Sequence, residues 1–199
     1  MRRESQPTSS AGYAALLAGL AWITWAILNA RTHGGLDAGG AAVGERLGRL
    51  GQLLMVVWNL LLIPAALALH GQFVDAKPAR VRVATVCGLA SVLFWAYGGA
   101  TRGITPALEV SYLALSAVWW CGIGTVFWPT HKWFGGLTLV LGVFAGWDAA
   151  LTALEPLPFA LYLTAAPKLP LSTLWDFAAG YMLIRPRALV TVSATPSAI

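Results

Sequence analysis

The chain has 199 residues, of which 58% are hydrophobic and 11% charged, with a formal net charge of +5. So little polar surface cannot cover a water-soluble globule, and the long apolar runs exceed what one soluble core takes up. The basic balance does not point to nucleic acid, because the arginines flank apolar segments, as they do when they set membrane orientation.

A helix that crosses a bilayer takes about 20 apolar residues. The first such run, Gly12 to Ala30, follows the basic start MRRESQPTSSA. Its apolar core is about 19 residues long where a cleavable leader has roughly 7 to 15, so it reads as a retained helix. The glycine-rich stretch RTHGGLDAGGAAVGERLGR follows. It has neither G-x-G-x-x-G nor P-loop spacing, so it reads as a connection rather than a phosphate cradle. Val43, Leu47 and Leu50 recur at helical spacing and Glu45 lies four before Arg49, which predicts that its end winds early into the second helix.

The second span covers Leu50 to Leu69, with Pro64 breaking one backbone bond and freeing the carbonyl of Leu60. The third covers Val81 to Thr101, the fourth Pro106 to Trp128 and the fifth Trp133 to Leu154. Beyond these, Pro167 and Pro170 interrupt an apolar stretch from Pro156 to Ile184. The reading is a short interfacial or re-entrant element, Pro158 to Ala166, followed by a sixth span from Leu169 to Ile184. The fold expected is therefore all-α: a polytopic integral membrane bundle of six helices over residues 12–185, between cytoplasmic tails 1–11 and 186–199.

Cytoplasmic loops hold the excess of Lys and Arg. With the N-terminus inside, that side receives Arg2, Arg3, Lys77, Arg80, Arg82, Lys132, Arg185 and Arg187, against Arg31, Arg46, Arg49, Arg102 and Lys168 outside. Both termini are therefore expected in the cytoplasm and the protein in a bacterial inner membrane. Cys87 and Cys121 fall inside spans without a C-x-x-C, and His33, His70 and His131 lie in a loop or at boundaries. No metal or cofactor site is read from them. Gly142 and Gly146 on the fifth span have the small-xxx-small spacing of close helix packing.

Ionised groups in hydrocarbon are costly and therefore mark function. Asp148 lies about six residues, roughly 9 Å, below the outer end of the fifth helix, and Asp176 about seven below that of the sixth. The two are expected at one level and within reach of a shared proton, without a ready cation; Lys168, two turns before Asp176, is expected to reach toward the surface instead. Asn59 comes at similar depth, while Asn29, Tyr97 and Glu109 lie nearer the outer boundary. Glu109 stands in the first turn of its helix, where Arg102 and the helix dipole account for it.

Spacing gathers these residues. Glu109, Tyr112, Ser116 and Trp120 form one stripe on the fourth helix, Gln52, Met55, Asn59 and Ile63 another on the second, and Asp148 lies four before Thr152. Trp precedes Asn or Asp at Trp58, Trp147 and Trp175, two of these in helices that an inverted repeat would relate. Of the ten tryptophans, Trp128 and Trp133 suit an interfacial belt. Deeper ones need a partner for the indole N–H, which the polar residues can supply.

The six-helix plan, the long loop before helix two, the stretch HKWFGGLTLVLG and the ending LWDFAAGYMLIRPR resemble small bacterial inner-membrane proteins whose family has no assigned activity. The resemblance implies membrane placement and carries no site residue.

Three functions fit. In the first, a pocket walled by Trp58, Tyr112, Trp120, Trp147 and Trp175, with Asn59 and Glu109, takes a small amphiphilic or cationic molecule against Asp148 and Asp176, alongside membrane lipid and with possible exchange for a proton. In the second, the two aspartates are catalytic acid and base on a lipid or isoprenoid substrate, as in an isomerase or cyclase. In the third, the acids only tie helices together in an interaction or regulatory subunit.

Overall fold

The computed structural model describes residues 9–33, 41–75, 77–101, 105–154 and 158–185, with side chains described outside 29–47, 99–100 and 158–166. It is all-helical: α1 (Ser9–His33), α2 (Ala41–Phe73), α3 (Pro78–Ala100), α4 (Pro106–Phe127), α5 (Lys132–Ala153) and α6 (Pro158–Ile184). Five stretches among the described residues are long and apolar enough to cross a membrane: Ser9–Leu28, Gly48–Phe73, Pro78–Gly98, Pro106–Phe127 and Lys132–Ala153. Their ends lie within four residues of those of the expected spans. The early winding of the second helix is also found, since α2 starts at Ala41.

The helix boundaries follow from local chemistry. Pro78 and Pro106 open α3 and α4, where a missing N–H costs nothing, and the Thr105 hydroxyl caps α4 by accepting from the Leu108 N–H at 3.3 Å. The sixth element differs from expectation. Its backbone stays helical through Pro167 and Pro170 in one run of 27 residues, with no separate short element before Leu169. A bundle tolerates such prolines because neighbouring side chains take over freed backbone groups. Near them, the Trp22 indole donates to the Leu169 carbonyl at 3.3 Å.

Each helix packs against its neighbours in sequence, and α6 returns to α1, so the six close a ring; α2 also touches α6 across it. Close approach depends on glycine. A Cβ at Gly12 on α1 would lie 2.8 Å from the Gly180 carbonyl on α6, and one at Gly180 would lie 2.9 Å from the Gly12 carbonyl. Likewise a Cβ at Gly142 on α5 would meet the Cys121 sulfur of α4 at 2.5 Å. The small-xxx-small spacing read on this helix is thus a packing device: Gly146 faces Ala117 one turn on.

Aromatic rings fill the interior of the ring of helices. Trp175 of α6 meets Trp120 and Trp119 of α4 edge-on at 4.4 and 5.8 Å and stacks on Phe134 of α5 at 5.7 Å. On the other side, Trp22 of α1 stacks between Trp25 and Trp58 at 4.6 and 4.5 Å. Trp22, Trp58, Trp119, Trp120 and Trp175 are buried, while Trp128, Trp133 and Trp147 are exposed. Helical geometry explains the division, since i, i+3 and i+4 positions share a face.

Candidate functional site

Asp148 and Asp176 are the two buried acids among the described residues, 7% and 0% exposed. Each is brought inside by the face of its helix that meets the bundle: Leu141, Ala145, Asp148 and Ala149 on α5, and Ser172, Trp175, Asp176, Ala179 and Leu183 on α6. Adjacent residues Trp175 and Asp176 are both inside because α6 is flanked by α1, α5 and α2 at once. On α5, which has fewer neighbours on its outer side, Trp147 turns about 100° away from Asp148 and is 57% exposed. Trp147 therefore does not wall the site, a correction to its expected place.

The two carboxyls have different partners. Asp148 Oδ2 is 2.7 Å from the Lys168 ammonium, which crosses from α6 to α5. The expectation of no ready cation for Asp148, with Lys168 reaching outward, is overturned. Lys168 stands about two turns before Asp176 on the same helix, too far along the axis to serve it, but α5 passes alongside and its Asp148 comes within reach. A quarter of the lysine side chain stays exposed. Asp176 Oδ2 instead accepts from the Trp58 indole N–H at 3.0 Å, where α2 crosses to α6.

In both cases the second oxygen, Oδ1, is buried with no hydrogen-bond partner among the described residues; the Trp119 indole N–H is in the same situation. Such a group costs about 1–3 kcal/mol each. A carboxyl kept only to tie helices would be expected to satisfy both oxygens, since half-satisfied buried networks are worse than apolar packing. Tyr112 on α4 is half-buried. Its ring leans on Trp95 at 4.6 Å.

The other candidates divide. Asn59 is buried and donates back to the Met55 carbonyl at 2.9 Å, one turn earlier on its own helix. Ser116 and Trp120 are buried below a half-buried Tyr112 and Glu109, so the α4 stripe runs inward with depth. On α2 only Met55 and Asn59 of the expected stripe are buried; Gln52 is exposed. Arg102, the expected partner of Glu109, lies outside the described residues, as do the side chain of Asn29 and the tail beyond Arg185. Thr152 returns its hydroxyl to the Asp148 carbonyl at 2.8 Å. Among the described residues no three His, Cys, Asp or Glu converge as metal ligands would.

Two structural contributors were missed from sequence. Lys168 was one, because pairing across helices has no sequence spacing. Trp22 was the other: it links an apolar groove to the site, and its burial is signalled only by the small-residue face Ala11, Ala15 and Ala18 that it continues. The groove, about 330 Å³, runs between α1 and α6 and is lined by Trp22, Ile23, Ile27, Leu169, Pro170 and Thr173. Trp22 stacks on Trp58, which holds Asp176.

Comparison with protein-family models, curated proteins and solved structures finds no match to the chain.

Proposed function

We propose that this protein is a bacterial inner-membrane bundle that binds a small amphiphilic cation at Asp148 and Asp176 and carries it within or across the bilayer. The observation that carries this reading is the pair of buried carboxyl oxygens without partners among the described residues. Buried polar atoms of this kind are rare and costly, and a carboxylate suits an organic cation in charge. Lys168 is then the resident cation of Asp148, the group with which a ligand ammonium competes. The apolar groove between α1 and α6, lined by Leu169 and Pro170 among others, suits the ligand's hydrocarbon part. A proton carried by either carboxyl would exchange with the ligand, linking binding to pH.

The test uses an alkylammonium probe, decylammonium, with decanol as the neutral control, on the full chain in mild detergent. Saturable binding of the ammonium, weak binding of the alcohol, and a loss of tenfold or more in Asp148→Asn and Asp176→Asn are expected. Equal binding of ammonium and alcohol sinks the reading. Conversion of the probe, rather than its recovery unchanged, would move the site to acid–base catalysis.

In this reading α6 is the sixth span and both termini are cytoplasmic. Its support is the ring itself, which α6 closes between α1 and α5, and the positive-inside balance. A reporter active only in the cytoplasm should give signal when fused after Arg187 and none when inserted at Asp37. Signal from the Asp37 site overturns the orientation.

A further inference from the structure

A second groove, about 650 Å³, lies between α3 and α4, away from the aspartates. We propose that it holds one anionic phospholipid, with the phosphate on Arg80 and an acyl chain along the groove. The proposal is independent of the reading above.

The groove is polar at one end and apolar at the other. Arg80, in the first turn of α3, and Thr125, near the end of α4, form its mouth; Val83, Ala84, Val118 and Gly122 line it deeper into the spans. The mouth is at the membrane boundary, as the exposed Trp128 and Trp133 at the neighbouring α4–α5 turn indicate. Its depth comes from small residues: a Cβ at Gly122 would stand 2.7 Å from that of Ala84, so the helices touch there and no side chain fills the floor. Val83 and Val118 form exposed walls, 57% and 45% accessible. A volume of this size falls within the ~300–1,000 Å³ of small-molecule sites.

The charge fits the same occupant. Arg80 reaches the Thr125 hydroxyl with one nitrogen at the long distance of 3.5 Å, and Thr125 is itself fixed by donating to the Gly122 carbonyl at 2.8 Å. That contact holds the guanidinium over the groove and leaves most of its five donors for a phosphate. Among the described residues no carboxylate pairs with Arg80. The start of α3 adds the partial positive charge of a helix N-terminus. A headgroup with a net negative charge is favoured there over a zwitterionic one.

Native mass spectrometry of the full chain, offered equimolar phosphatidylglycerol and phosphatidylcholine of matched chains, tests this. The wild type should retain phosphatidylglycerol over phosphatidylcholine by about fivefold, the worth of one basic residue beside an anionic headgroup. Arg80→Gln should bring the ratio near one. Lys77→Gln, the same charge change outside the groove, should leave it unchanged. Val118→Trp should lower retention of both lipids by filling the groove, and Val83→Trp does the same from the opposite wall if the first variant does not fold. A preference that survives Arg80→Gln, or that falls equally with Lys77→Gln, overturns the proposal in favour of diffuse surface charge. Unaltered retention in a folded groove-filling variant overturns it as well.

Discussion

Replacing Lys168 by Met should lower the stability of the purified protein by about 3 kcal/mol, the low end for breaking a buried ion pair. The low end applies because a quarter of the lysine side chain is exposed. Lys168 is the cation on Asp148, at 2.7 Å, and the other oxygen of that carboxyl has no hydrogen-bond partner among the described residues. Removing the ammonium leaves a buried carboxyl with nothing to balance it, whereas removing both charges does not. Lys168→Met with Asp148→Leu should therefore recover to within about 1 kcal/mol of the wild type. For a chain of this length the single variant corresponds to a fall of roughly 6–12 °C in Tm. A single variant as stable as the wild type would mean that the lysine points to the surface and the pair contributes nothing. The cycle also bears on the proposed function: the double variant should be folded yet fail to bind decylammonium, separating the charge from its structural role.

The helices were legible because each is a long apolar run ended by proline, glycine or charge; Pro106 opens its helix where expected, and Pro78 opens α3 three residues before the expected Val81. The prolines of α6 misled for a physical reason. Proline disfavours helix in an isolated chain, but in a bundle tertiary contacts satisfy the backbone, and α6 has three neighbours to supply them. Burial within a helix was legible from spacing alone for Met55, Asn59, Ser116 and Trp120. It failed at Trp147, since a Trp-Asp dipeptide has both residues inside only where the helix is surrounded, as α6 is and α5 is not. For the same reason Trp58 and Trp147 do not occupy equivalent places, which removes the dipeptide hint of an inverted repeat. Burial of both aspartates was legible from their depth, but depth does not say which helices touch. The choice of partners, Lys168 for one and Trp58 for the other, is a property of the ring's closure and has no signature along the chain.

The largest functional effect is expected at Asp176. This residue is fully buried, with the Trp58 indole on one oxygen and, among the described residues, no partner on the other. Asp176→Asn keeps an oxygen to accept from the indole and loses only the charge. Its stability should stay within about 1 kcal/mol of the wild type, while binding of decylammonium falls by tenfold or more. Trp58→Phe does the reverse. It leaves both oxygens of Asp176 unpaired and withdraws an indole that stacks on Trp22 at 4.5 Å, so the loss should reach about 2–4 kcal/mol from the unpaired group and the thinned packing together. Glu109→Gln supplies the control: Glu109 is half-buried in the first turn of α4, where a carboxylate contributes no more than about 1 kcal/mol through the helix dipole, and probe binding should be unchanged. Thermal denaturation and probe titration on the same preparations separate the three. A site that only ties helices together gives the opposite pattern at Asp176, a destabilised Asn variant with the wild type's affinity, because glue is lost with its hydrogen bonds and a binding group with its charge.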